Sequence, residues 1–373
     1  MKRVCLLVSA CLILGAVACG KKGPILIGVV GDLESEQHGG DSGFRNGVFL
    51  GIEAVNDRGG IDGRPLQALT GNDQGDPDTV ARVDEKLVAS GAVALLGHNT
   101  SATTAAALPV IARHRILLMG PEATSSEFAG KKDFFVRDEV REQAFADALA
   151  EYAVKTMKLS SVGALIDAKN RPFTKPFFEA FQKKMKALGS EAEPLYLYEV
   201  LDTVEAGRQV DAFLSRGGQA VLLVTNGADT RNLAQMVRRV RDDVPLLGTP
   251  WAIPPAVGMG GAVPPEDLVL PLTWDPDSRS PAYLEFKKTY EQRFSHPVDY
   301  HAVHAYEAVQ ILAKGLEEAG GKAERLPQAI AKTAQFEGLQ GPIQIDPYGD
   351  AERTIYISRV VGGRLHRVWP PAK

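Results

Sequence analysis

Residues 95–128 read LLGHNTSATTAAALPVIARHRILLMGPEATSSEF, and the fold turns on this stretch. Two apolar runs, 92–96 at its head and 116–119 within it, are too short to span a membrane and are bounded by glycine. Strands buried on both faces read this way. Each run leads into a small hydroxyl-bearing turn, His98-Asn99-Thr100-Ser101 after the first and Glu122-Ala123-Thr124-Ser125-Ser126 after the second. Residues 102–113 between them have helical composition. A strand that feeds a helix through a Ser/Thr turn aims unpaired N–H groups and hydroxyls at one point, where the helix dipole also favours negative charge. The stretch therefore predicts half of a binding cleft for a small anion, above all a carboxylate.

Upstream, residues 25–30 read as a buried strand, and Phe44, Val48, Ile52 and Val55 form one helical stripe that ends at Gly59-Gly60. A strand over 64–72 follows. Asp76-Pro77 then opens a helix as N-cap and first-turn proline, with Val80, Val83 and Leu87 inward. Downstream, 134–137 is extended and the pattern restarts. Helices at 139–157, 174–188, 204–216 and 230–240 alternate with strands at 162–166, 195–200, 220–224 and 246–247. Such alternation demands right-handed crossovers and a mostly parallel sheet. Two series imply an α/β fold of two doubly wound parallel-sheet lobes.

A third section breaks the alternation, with an extended run at 268–273 and helices at 281–294, 301–319 and 326–333. Extended residues 338–345 and a strand at 354–361 in a hairpin tail close the chain. This predicts three hinge crossings, near 134–138, 270–275 and 338–345. It allots 25–137 plus 275–338 to an N-terminal lobe and 138–270 plus 345–373 to a C-terminal lobe.

Across 373 residues the apolar share is 45% and the charged share 24%, those of a globular protein, and formal net charge is −4. No basic run suggests a nucleic-acid partner. Lys2, Arg3 and the apolar residues 4–17 form a leader shorter than the roughly 20 residues of a spanning helix. We read 1–18 as a signal peptide and 19–24 as a tether. Ala16-Val17-Ala18-Cys19 resembles the lipobox of bacterial lipoproteins, with Ala16 where Leu is usual. That implies lipidation at Cys19 and a membrane anchor; ordinary cleavage after Ala18 is the alternative. Cys5, Cys11 and Cys19 all lie in the leader, so the mature domain has no disulfide and no thiol chemistry although it is exported.

Several motifs in this order resemble the type I periplasmic solute-binding proteins, in particular the Leu/Ile/Val-binding branch of ABC importers. They are Asn46-Gly47, Asn56-Asp57-Arg58-Gly59-Gly60-Ile61-Asp62-Gly63, Leu96-Gly97-His98 before Ser101, Gly120-Pro121-Glu122-Ala123-Thr124, and Gly341-Pro342-Ile343. The likeness covers essentially all of the mature chain. It implies a ligand held between lobes that close about a hinge, with Ser101 and Thr124 on the carboxylate and amino group of an amino acid. The backbone around Thr100 and Glu122, with Ala123 between the two contact residues, would help. From the second lobe it implies an aromatic lid at Phe173, a further aromatic that falls near Asn226, and an acid for the ligand's ammonium within Gly248-Thr249-Pro250-Trp251. No acid stands there, while Glu122 occupies a position where the branched-chain binders have a small residue. Either Glu122 has taken over the ammonium, or the ligand is not an α-amino acid. The first-lobe disulfide of that family is absent.

Other readings compete with these. Ser101 and Thr124 also fit N-caps, Glu122 a solvated loop acid, Phe173 a core residue, and Trp251 either cavity wall or core. Asp167, Asn226 and Asp229 follow second-lobe strands. His301 and His304, three apart, lack a nearby third ligand and an HExxH motif, so we read them as a helix face near the lobe surface and expect no metal. With no thiol and no GxSxG elbow, we expect neither an enzyme nor a cofactor. The expected role is an extracytoplasmic, lipid-anchored binder that delivers a small amino acid or related carboxylate to an ABC permease. The alternatives are an amide, urea-like or aromatic-acid ligand, or a sensor or cell-envelope protein on the same fold.

Overall fold

The computed structural model describes residues 23–33, 42–253 and 264–370. The expected signal peptide and Cys19 lie outside the described residues. The first unit runs β1 (Ile25–Gly31), α1 (Ser42–Asp57), β2 (Leu66–Asn72), α2 (Pro77–Ala89), β3 (Ala94–Leu96), α3 (Ser101–His114), β4 (Leu117–Gly120) and β5 (Phe135–Arg137). Its sheet has the order β2-β1-β3-β4-β5, and every pairing is parallel. Helices cover both faces, so Leu95, Leu96, Leu117, Leu118 and Met119 are sealed from solvent. That double burial is why β3 and β4 read as unbroken apolar runs.

The second unit runs α4 (Glu142–Lys155), β6 (Ser161–Asp167), α5 (Arg171–Ala187), β7 (Glu191–Tyr198), α6 (Thr203–Ser215), β8 (Ala220–Val224), α7 (Gly227–Val240), β9 (Leu246–Gly248) and β10 (Leu268–Leu272). After it come α8 (Pro281–Phe294), α9 (Tyr300–Glu318), α10 (Leu326–Thr333), β11 (Gln335–Glu337), β12 (Pro342–Ile345), β13 (Ala351–Glu352), β14 (Tyr356–Val361) and β15 (Arg364–Trp369). The larger sheet is ordered β15-β14-β10-β9-β8-β6-β7, parallel from β10 to β7 and antiparallel at the β14–β15 hairpin. Gly362 and Gly363, both at positive φ, make the hairpin turn. The two parallel sheets bear out the α/β reading.

Helix α9 lies against α1, and a Cβ at Gly47 would stand 2.3 Å from the carbonyl oxygen of Ala302. Any larger residue would force the pair apart.

Several boundaries differ from expectation: α5 and α7 each begin three residues early, at Arg171 and Gly227, β7 runs Glu191–Tyr198 rather than 195–200, and two further differences bear on the passages between the sheets. Helix α4 begins at Glu142 rather than 139. The Glu139 carboxylate accepts from the Val140 N–H at 2.7 Å and from Thr273 Oγ1 at 2.6 Å, which holds the chain extended. The last passage between sheets also falls later than 338–345. Ile343, Ile345 and Ala351 pack in the first unit's core, and β12 pairs with β11 and β13, so the chain reaches the larger sheet through residues 353–355.

Candidate binding site

Strands β3 and β4 are neighbours in register, Leu96 beside Met119, so the turns that follow them emerge side by side. Thr100 caps α3: its hydroxyl accepts from the Thr103 N–H at 3.1 Å, and Thr103 Oγ1 accepts from the Thr100 N–H at 3.3 Å. Ser125 caps the short 3₁₀ turn Ser126–Phe128, its Oγ accepting from the Glu127 N–H. Capping thus falls one residue before Ser101 and one after Thr124. The N-cap reading of those two residues is displaced, and both side chains are left to line a cavity. Ser101 Oγ accepts from the Ser125 N–H at 3.3 Å and ties the two turns together. Thr124 makes no side-chain hydrogen bond among the described residues.

Beneath the first turn His98 is fully buried, with Nδ1 2.6 Å from Asp73 and Nε2 3.4 Å from Asp84. Burial alone would discharge the ring, but the two aspartates outweigh it and raise its pKa to about 9. A charged imidazole therefore anchors the base of the loop that carries Asn99, Thr100 and Ser101.

The cavity is narrow, with a volume of about 30 Å³. Glu122 joins Thr100, Ser101 and Thr124 on the first unit's side. Phe173 and Trp251 form an aromatic wall on the other side, edge to face with centroids 6.1 Å apart. Phe173 also packs on Phe177 in the core. Asn170, at the start of α5, bridges the two units: its Oδ1 accepts from the Ala102 N–H, an amide of the first turn of α3, at 3.1 Å.

Two expected contacts do not line the cavity. Ala123 is buried in the first core, and its carbonyl accepts from Arg137. Asn226 is the N-cap of α7, accepting from the Asp229 N–H at 2.9 Å and donating to Asp167 and Asp229. The end of β8 turns to that cap instead of to the cleft.

The histidines are the larger correction. Both are buried, and His301 lines the cavity with Nδ1 2.7 Å from Glu122 Oε1. His304, one turn further along α9, sits among groups from all three passages between the sheets. Its Nδ1 lies 3.2 Å from Asp138 and its Nε2 3.2 Å from Glu139. Glu139 also accepts from Thr273 Oγ1 and from the Tyr300 hydroxyl. Asp138, His304 and Glu307 could by spacing hold a metal. The Arg353 guanidinium already fills that role, 2.5 Å from Glu307, 3.4 Å from Asp138 and 3.2 Å from His304 Nδ1. Burial lowers the pKa of His304 to about 4 and pushes that of Asp138 well above the usual carboxylate range. One signal for this was present: Tyr300, His304 and Glu307 form a polar stripe at helical spacing in a helix that is otherwise mostly apolar.

Comparison with known proteins agrees with this architecture. Over 320 residues the chain is 25% identical to "Leu/Ile/Val-binding protein homolog 1" of Brucella abortus (strain 2308), covering 84% of each. Over 332 residues it is 24% identical to a leucine-, isoleucine-, valine-, threonine- and alanine-binding protein of Pseudomonas aeruginosa, again covering 84% of each. A leucine-binding protein of Thermotoga maritima superposes with a TM-score of 0.82 at 19% identity, over 92% of this chain and 97% of that one. A solute-binding protein of R. palustris, solved with benzoate, gives 0.81 at 18% identity over 93% and 96%. These structures share the fold. The sequence profile described as "Periplasmic binding protein" matches residues 24–364, and the chain belongs to that family.

Proposed function

We propose that this chain is an exported, non-catalytic solute-binding protein, anchored through Cys19, that delivers a small amino acid or related carboxylate to an ABC permease. The observation that carries the reading is the pair of hydroxyls lining one cavity wall, Ser101 at the start of α3 and Thr124 in the turn after β4, neither used as a cap because Thr100 and Ser125 do the capping. A carboxylate seated there gains charge-assisted hydrogen bonds and the favourable end of the α3 dipole. Phe173 and Trp251 then cover the apolar remainder. Relatives named for branched-chain amino acids support the ligand class, as does the single carboxylate, Glu122, among the cavity-lining residues. Cleft closure follows if the ligand binds the closed arrangement more tightly than the open one, and only to that extent.

A thermal-unfolding screen against amino acids, amides and small carboxylates tests the reading. A true ligand at a hundredfold excess over Kd stabilises the fold by about 2.7 kcal/mol. Equal melting throughout the panel would count against it.

A further inference from the structure

Among the described residues the cavity wall carries one carboxylate, Glu122, and one imidazole, His301, and they face each other with Nδ1 2.7 Å from Oε1. The second ring nitrogen, Nε2, lies 3.4 Å from the carbonyl oxygen of Ile253. Both nitrogens therefore face oxygens that can only accept, and only the imidazolium donates from both. Tyr300 packs edge to face on the ring and turns its own hydroxyl away to Glu139. From the second unit the wall receives Asn170, Phe173, Pro250 and Trp251, none of them charged. An ammonium group that enters has, among the described residues, one carboxylate to meet, and His301 already holds it.

We propose that His301 sets the charge class of the ligand, a step that rests on Ser101 and Thr124 being the carboxylate site. A ligand with an amine reaches Glu122 only by displacing the imidazolium. The ring then gives up its proton to water, because two cations beside one buried carboxylate repel each other. A carboxylate without an amine binds at Ser101 and Thr124 with the Glu122–His301 pair intact. Among the described residues, the titratable groups facing the ring include Glu122 across the cavity and Tyr300 on its own helix, with Glu139 behind the latter.

Isothermal titration of L-leucine and its deaminated analogue 4-methylpentanoate, from about pH 5 to about pH 8 in buffers of different ionisation heat, separates the two cases. For leucine the affinity should rise about tenfold per pH unit through the acid side of that range, with release of one proton. For 4-methylpentanoate it should stay flat. In His301→Gln the leucine slope should vanish, with tighter binding at the acid end. A leucine slope that survives in H301Q, or an equal slope for both compounds, overturns the proposal. The imidazole nitrogen NMR signals of His301, assigned by their loss in H301Q, give an independent reading on the protein alone: a charged ring near neutral pH in the wild type and a neutral one in Glu122→Gln. A neutral wild-type ring also overturns the proposal. If neither compound binds while the ring is charged, the carboxylate-site reading fails and the exchange falls with it.

Discussion

Two successive turns of α9 hold ionisable groups in contrasting ways. In the first, His301 meets one carboxylate, Glu122, at the wall of a cavity, and among the described residues nothing else charged lines that wall. In the second, His304 and Glu307 join Asp138, Glu139, Thr273 and Arg353, all with buried side chains, with contributions from each of the three passages between the sheets. The cavity pair is simple and can be exchanged for a ligand's groups. The crossing cluster is over-determined: the guanidinium reaches two acids, and Glu139 accepts from two hydroxyls. Burial works against its charge, yet Glu307, Asp138 and Glu139 together raise the pKa of Arg353. A site that must bind and release needs the first design, and a fixed pivot needs the second.

That contrast breaks most directly at Arg353. Arg353→Met leaves Glu307 and its neighbours buried without their cation and should destabilise the fold by about 3–5 kcal/mol in urea unfolding. A loss below about 1 kcal/mol would mean that the cluster is not a structural pivot. The second effect lies under the binding turn. His98 has a folded pKa of about 9, above its unfolded value near 6.5, so its contribution is fully present below the unfolded value and is lost as pH rises through the folded one. Stability should fall between those limits, by up to roughly 3 kcal/mol at its upper end. His98→Gln should flatten that part of the profile; an unchanged profile would place the titrating group elsewhere.

Smaller effects sharpen the comparison from the cavity side. Ser101→Ala and Thr124→Val should each weaken carboxylate binding by about 1.5–3 kcal/mol, the worth of a hydrogen bond to a charged group; Thr124→Val should barely change the melting temperature of the protein alone, whereas Ser101→Ala should lower it by stranding the buried Ser125 N–H. Calorimetric titration reads the first quantity and thermal unfolding the second. Asn226→Ala should do the reverse: a loss of about 1 kcal/mol of stability from the α7 cap, and unaltered affinity. Weakened binding in that variant would restore Asn226 to the site.

The parallel strands were legible because strands covered on both faces leave a continuous apolar signature, and 92–96 and 116–119 are such runs. The turns after β3 and β4 were legible as a site because their hydroxyls cluster at one sheet edge. Which hydroxyl caps was not. Thr100, Ser101, Thr103 and Thr104 crowd one helical turn, and only the extended backbone of Thr100 (φ −133°, ψ 157°) singles it out. The histidines were misread for a different reason: Glu122 and Asp138 lie 179 and 166 residues away in the chain, beyond any local pattern. Asn226 shows the limit of the strand-end rule. Every parallel strand ends on the same edge, but only ends that face the other unit can line the cleft. The late third passage depends on the pairing of β11, β12 and β13, which the extended segments around Gly341-Pro342 did not reveal.

The central claim is that the hydroxyls of Ser101 and Thr124 receive a solute's carboxylate between the two units. A crystal structure of the protein with a ligand identified by the thermal screen tests it most directly. The expected result is a carboxylate within hydrogen-bond distance of both hydroxyls, with Phe173 and Trp251 against the remainder of the molecule. A ligand seated elsewhere, or one whose carboxylate points to the aromatic wall, would contradict it.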